Sequence, residues 1–319
     1  MVSYLTDAAG ETGIHPAVFA FDAAGKFGYF GQTMKQTNIS RRDFFKLTGA
    51  SATLLCASSC ALAPKSSAGR KIPVGLQLYS VRKECEQDLP GTISTVAKIG
   101  YHGVEFAGYY NRDAKTLRKL LDDHGLKCCG THTGLDTLTG DNLAKTIEFN
   151  QILGNRFLIV PGLPAKNTKT RQAWQETAVL FNELTEKVKP HGMRVGYHNH
   201  TVEFTALEGE LPWDTFFGRT KKEVVMQFDT GNAMMGSGDP VVYLKRYPGR
   251  AATIHVKPFS KAKPNAVLGE DELPWPEIFN LCETTGATEW YIVEYESDAY
   301  PPLVSVEKCF QAMHRWGKC

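Results

Sequence analysis

The sequence lacks several patterns that would assign it quickly. None of its eight cysteines forms a Cys-x-x-Cys pair or a Cys/His spacing suited to zinc, so neither a zinc finger nor a dense disulfide scaffold is expected. Charge of one sign is not in excess. The chain holds 36 Lys/Arg and 34 Asp/Glu, and its first 68 residues take six and four of these, leaving 30 of each sign beyond. A nucleic-acid binder usually carries a basic stripe, so no nucleic-acid partner is expected. No apolar run reaches the roughly 18 residues that suggest a membrane span. The first strand-like run leads into "QLYSVRKECEQD", a turn without the glycines that cradle phosphate in open dinucleotide-binding sheets. What is present is ordinary globular material, 42% hydrophobic and 22% charged.

The N-terminal region reads as an address. "SRRDFFK" (40–46) places Arg41 and Arg42 ahead of a small-residue, mildly apolar run from Leu47 to Ala63. Paired arginines before such a run are the layout of an export signal, and the motif resembles the twin-arginine signal. Met34 is a natural start for that signal. Residues 1–33 are therefore read as an upstream extension of doubtful status, 34–68 as the signal segment, and 70–319 as the folded domain. Ser66-Ser67-Ala68 suits a signal peptidase, and Ala57-Ser58-Ser59-Cys60 offers a lipid-anchor alternative at Cys60. The expected location is the periplasm, with the twin-arginine translocase as a transient partner. A homo-oligomer is left open.

Beyond residue 70 the chain alternates between short strand-like and longer helix-like stretches. The strand-like runs are 74–79, 102–107, 127–133, 156–162, 194–200, 223–229, 251–257 and 290–296. Each is followed by an amphipathic stretch; in "DAKTLRKLLDDHG", Leu117, Leu120 and Leu121 fall on one face at helical spacing. Eight such units in about 250 residues predict a single-domain (β/α)8 TIM barrel. An open doubly wound sheet is the runner-up.

In such barrels, chemistry gathers at the C-terminal ends of the strands. Those ends read Gln77 and Tyr79; Glu105; His132; Pro161; His198, Asn199 and His200; Asp229; His255 and Lys257; Glu294 and Glu296. Seven of the eight carry polar or ionisable groups on runs otherwise fit for burial. A buried carboxylate costs several kcal/mol unless it is paired or bound to a cation. A divalent metal held by His198, Asp229, His255 and Glu294, one from each of strands 5 to 8, is the economical arrangement. Two imidazoles and two carboxylates suit Mn²⁺, Co²⁺, Fe²⁺ or Zn²⁺ better than Ca²⁺. The bland alternative is a set of internal ion pairs that includes Lys257. Trp213 and Trp275 sit near strand–helix junctions and are candidate sugar-stacking walls, whereas Trp174 and Trp290 read as packing. Glu203 is either a support for an imidazole or a loop carboxylate.

The motifs "GLQLYSVR", "GYHGVEF", "GYHNHTVEF", "FDTGNA", "IHVKPF", "LGEDELPWPEIF" and "WYIVEYE" together resemble the xylose-isomerase-like TIM-barrel family, the sugar phosphate isomerase/epimerase group, from about Ile72 to the C-terminus. The resemblance implies a divalent-metal enzyme that abstracts a proton beside the carbonyl of a sugar or keto-sugar. Asp229, His255 and Glu294 match three of the four metal positions of the family's 3-epimerases. His198 stands where those enzymes commonly carry glutamate, which removes one of their two opposed bases. The implied acid/base groups are Glu294, His200, Lys257 and His132, and the implied substrate contacts are Glu105, Gln77, Tyr79, Asn199 and Trp275. An isomerase or epimerase is the first expectation. A keto-sugar lyase or dehydratase of the same fold, including keto-glycoside cleavage, and a non-catalytic exported sugar-binding protein are the alternatives.

Overall fold

Short runs of Val, Ile, Leu and Phe bounded by glycine and polar residues are built to be buried on both faces, as strands of a parallel sheet are. Eight of them form. They are β1 (Val74–Gln77), β2 (Gly103–Phe106), β3 (Lys127–His132), β4 (Phe157–Val160), β5 (Arg194–His198), β6 (Val225–Asp229), β7 (Thr253–Val256) and β8 (Trp290–Val293). Every neighbour pair is parallel, and β8 pairs back onto β1 with Gly75 opposite Ile292, so the barrel closes. The structure, a computed structural model, describes residues 71–319. The twin-arginine segment, the extension before it and Cys60 lie outside the described residues.

Among the described residues nine α-helices surround the barrel: α1 (Arg82–Ile99), α2 (Ala114–Asp123), α3 (Asn142–Leu153), α4 (Arg171–Val188), α5 (Pro212–Phe217), α6 (Thr230–Met235), α7 (Pro240–Arg246), α8 (Trp275–Thr284) and α9 (Pro302–Arg315). Eight follow the periodicity of the sequence. In α2 the Asp113 carboxylate accepts the Thr116 N–H at 2.9 Å and starts the helix, and Leu117 and Leu121 turn inward. Asp239 caps α7 in the same way, as its place before Pro240 suggests. The ninth, α6, is only six residues long and was not legible as a helix. None of the described helices is long and apolar enough to cross a membrane. The six cysteines in the described region are free, five of them buried.

Period-2 alternation sorts the strand residues into two faces. Outward residues such as Leu158, Val160, Met226 and Phe228 join the large core under the helices. Inward residues form layers. Phe157, Ile159, Val225 and Ala252, with Trp290, make a separate apolar plug. Gly103 lies beside it; a Cβ there would press on the Lys127 carbonyl and the Trp290 ring. One step higher come Gln77, Glu105, Gln227 and Thr253, all fully buried. Another step along β6 and β7 brings Asp229 and His255, which sit opposite each other in register. The barrel thus turns from apolar to polar to ionisable as it approaches the C-terminal mouth.

Candidate metal centre and active site

The top layer gathers His198, Asp229, His255 and Glu294. Each offers one ligand atom, and the four atoms lie within 4.8 Å of one another, all on buried residues. His198 Nδ1, Asp229 Oδ2 and His255 Nδ1 are buried and have no hydrogen-bond partner. Unpaired buried polar atoms are rare and call for an explanation. His255 Nδ1 lies 2.8 Å from Glu294 Oε2 and 3.6 Å from Asp229 Oδ2, but without the in-line geometry of a hydrogen bond. Ligand-type atoms crowded on one point with no aligned hydrogen bond between them fit a cation. The residues present therefore fit a divalent metal with two imidazole and two carboxylate ligands.

Local structure aims each ligand. Asp229 ends β6 and caps α6: its Oδ1 accepts the Asn232 N–H at 2.7 Å, which turns Oδ2 toward the other ligands. Burial, with His255 and His132 beside it, holds the His198 imidazole well below its ordinary range, so it is neutral, as a ligand must be. Burial opposes charge on Glu294, but Lys257 and His255 overcome it and hold the carboxyl well below the usual carboxylate range. Burial likewise works against charge on His255, yet Glu105 and Glu294 on either side push it well above the imidazole range, so a metal would have to displace the Nδ1 proton.

Lys257 closes one side. Its Nζ donates to Glu294 Oε1 at 3.0 Å and to Glu296 Oε1 at 2.6 Å. Burial disfavours the ammonium, but Asp229, Glu294 and Glu296 raise it above the ordinary lysine range. Below this cluster sits Glu105, fully buried. It accepts from Gln77 Nε2 at 2.7 Å, Gln227 Nε2 at 2.8 Å and His255 Nε2 at 2.6 Å. Gln227 Oε1 is 2.9 Å from His132 Nε2. Above the ligands opens a cavity of about 390 Å³ lined by Tyr79, His132, Pro161, His198, His200, Glu294 and Glu296, among others. Its rim includes Tyr79, 42% exposed, whose ring packs 4.1 Å from the Arg82 guanidinium.

The profile of the xylose isomerase-like TIM barrel matches residues 93–316. The chain belongs to this family. Among curated members of comparable sequence, it is 24% identical over 245 residues to an inosose dehydratase of Serratia proteamaculans, covering 65% of this chain and 82% of that one. A sugar phosphate isomerase/epimerase from Parabacteroides distasonis superposes with a TM-score of 0.66 at 26% identity, over 78% of this chain and 95% of that one. A D-psicose 3-epimerase shares the fold at 14% identity, with a TM-score of 0.53 and 75% and 90% coverage. The xylose isomerase-like relatives are enzymes, and this chain is an enzyme of the same family, its reaction type left open by their differing names.

Within this family member, the structure brings His132, His198, His200, Glu294 and Tyr79 to one cavity, with Asp229, His255 and Lys257 directly beneath or beside it. Other expected contacts lie elsewhere. Asn199 points away from the cavity: its Oδ1 accepts the Asp229 N–H at 2.8 Å and its Nδ2 donates to the Asp229 carbonyl at 3.1 Å. It latches the ends of β5 and β6 instead of meeting substrate. Trp275 is 3% exposed, packs against Phe279 and Trp316, and gives its indole N–H to Asp271 at 2.9 Å. Neither its face nor its donor is free for a sugar. Trp213 is wholly buried in an aromatic cluster with Tyr197, Phe204 and Phe217. Gln77 and Glu105 lie below the ligands and touch each other, not the cavity.

One contributor, Gln227, went unnamed in the sequence; Glu296 was read there only as a strand end, and Glu203 was left between a support for an imidazole and a loop carboxylate. Gln227 was signalled only by sitting two residues before Asp229 on the same strand face. Glu296 shares its face with Glu294 and lines the cavity. Glu203, 1% exposed, accepts the Tyr197 hydroxyl at 2.5 Å and the His200 N–H at 2.9 Å, and so fixes the turn that carries His200.

Proposed function

We propose that the protein is an exported, divalent-metal-dependent enzyme that removes a proton beside the carbonyl of a keto-sugar or keto-cyclitol and expels a β-hydroxyl as water. The convergence of unpartnered His198 Nδ1, Asp229 Oδ2 and His255 Nδ1 on Glu294 carries the metal reading. A divalent ion held there would polarise the substrate carbonyl and stabilise the enediolate. The rest falls to the chain. Glu294 has Oε1 on Lys257 and Oε2 among the ligands, which leaves it to metal ligation. Glu296, on the cavity wall and fixed at Oε1 by Lys257, is the carboxylate placed to take the proton. His132 and His200 come from β3 and β5, which flank β4 across the barrel from β8. His200 stands where a proton can be given to the departing hydroxyl; burial lowers the His132 imidazole below its ordinary range, and its Nε2 proton is held by Gln227 Oε1.

This division of labour favours elimination over epimerisation. An epimerase of the two-base kind needs matched groups on both faces of the carbon. Here a carboxylate faces imidazoles, and an elimination needs one base and one acid. The inosose dehydratase relative points the same way. Incubating the metal-loaded protein with an inosose in deuterated water is expected to give a product one water lighter, detected by mass spectrometry. Deuterium entering the substrate carbon with an epimer and no loss of water would replace dehydration with epimerisation. No exchange with any keto-sugar that binds would favour a binding protein.

Export rests on the "SRRDFFK" motif before a small-residue run. Cell fractionation of the full chain in a host with the twin-arginine route is expected to find it in the periplasm. The Arg41→Lys/Arg42→Lys double variant is expected in the cytoplasm, and its unimpaired export would exclude this route.

A further inference from the structure

We infer that Glu105 is the positioning residue of the metal centre: it holds Nε2 of His255, so that Nδ1 and no other atom of that ring meets the metal. The inference rests on the metal reading above. Imidazole has two nitrogens, and either can ligate. Which one does is set by what the other is bonded to. Here Nε2 lies 2.6 Å from Glu105 Oε2, and Nδ1 lies among the unpartnered ligand atoms.

Several features of the sequence serve to put that carboxylate there. Glu105 lies on β2, across the barrel from His255, and reaches through the interior to touch it. The register between β2 and β3 slips between Val104 and Glu105, an irregularity of the kind that re-aims a side chain. Gly130 leaves the space beside it; a Cβ there would collide with Glu105 Oε1. Gln227 donates to Oε1 at 2.8 Å and Gln77 donates to Oε2 at 2.7 Å, so the carboxylate cannot swing away from His255 without giving up two buried hydrogen bonds. The Gln227 amide is itself fixed, with Oε1 on His132 and Nε2 shared between Glu105 and Thr253 Oγ1. A buried carboxylate with three donors and no path to substrate is placed to orient, not to react.

Glu105→Gln keeps the shape but sets an N–H₂ against donors. The test is Co²⁺ titration of the chelator-treated protein, read by visible absorption, which reports affinity and ligand field without any substrate. Glu105→Gln is expected to weaken Co²⁺ binding about 10- to 100-fold and to change the spectrum. The discriminating measurement is a double-mutant cycle with His255→Gln. If Glu105 acts through His255, Glu105→Gln costs little further affinity once His255 is gone. Equal losses in both backgrounds would show a general structural role and overturn the inference, as would wild-type affinity in Glu105→Gln. Should Glu105→Gln not fold, Glu105→Asp draws the carboxylate back from Nε2 and is expected to weaken binding likewise; unchanged affinity there overturns the inference. Absence of Co²⁺ binding by the wild-type protein would instead sink the metal reading and this inference with it.

Discussion

Asp229→Asn is expected to abolish metal binding and cut turnover by about three orders of magnitude, while the barrel stays folded. The two halves of this expectation come from the two oxygens of one side chain. Oδ1 caps α6 through the Asn232 N–H at 2.7 Å. Asparagine caps as well as aspartate, and the Asn199 latch on the residue 229 backbone does not involve the side chain at all. The local fold therefore survives. Oδ2, buried and unpartnered, would become an amide nitrogen 3.6 Å from His255 Nδ1 and in the same cluster as His198. A donor in that position can fill the lone pairs that would otherwise hold a cation. Lewis-acid activation of a carbonyl is worth several kcal/mol of transition-state stabilisation, and about 4 kcal/mol corresponds to about 10³-fold in rate.

The check is metal content after gel filtration, with thermal melts in and out of chelator. Metal bound at 100 times its Kd adds about 2.7 kcal/mol to stability by mass action. The wild-type protein is expected to lose melting temperature when chelated. Asp229→Asn is expected to melt near the chelated wild type and to show no response to added metal. One metal per chain retained by Asp229→Asn would refute the ligand assignment.

That buried cluster was legible because parallel barrels announce their sites. A strand buried on both faces tolerates few ionisable residues, so His198, Asp229, His255 and Glu294 each stood out at the end of an apolar run. Alternation sets Asn199 on the strand face opposite His198 and His200, which is why its amide meets the β6 backbone and not the cavity, against its expected substrate contact. What was hidden depends on partners far away in sequence. Trp275 looks like a sugar platform until Phe279 and Trp316 cover its face and Asp271 takes its N–H. Glu105 looks like one more mouth residue until its layer is known, and the layer follows from the register of β1, β2 and β6 together. The short helix α6 carries no periodic signal in "TGNAMM"; its start is fixed by Asp229, whose capping is invisible beside its place among the candidate ligands.

Lys257→Met is expected to destabilise the chelated protein by about 3–5 kcal/mol near neutral pH, the cost of leaving buried charges without their partner. The Lys257 side chain is 11% exposed and stands between Glu294 at 3.0 Å and Glu296 at 2.6 Å. Methionine preserves the volume of the stem and removes the ammonium between the two carboxylates. The pH dependence identifies the cause. In the wild type, burial raises Glu294 but Lys257 and His255 hold it well below the ordinary range. A carboxyl with a lowered folded pKa contributes stability above its unfolded value of about 4.3, and loses it as pH falls through the folded one. Burial already raises Glu296, and Lys257 opposes that rise. Without the ammonium both carboxyls shift upward. The variant then binds protons in the folded state that the unfolded chain releases, so the penalty of Lys257→Met shrinks as pH falls from 7.5 toward 5. Urea denaturation at the two pH values measures this, and a penalty independent of pH would mean lost packing instead of lost charge. Adding Glu296→Gln removes one of the stranded carboxylates, and the double variant is expected to recover about 1 kcal/mol or more of the loss at pH 7.5.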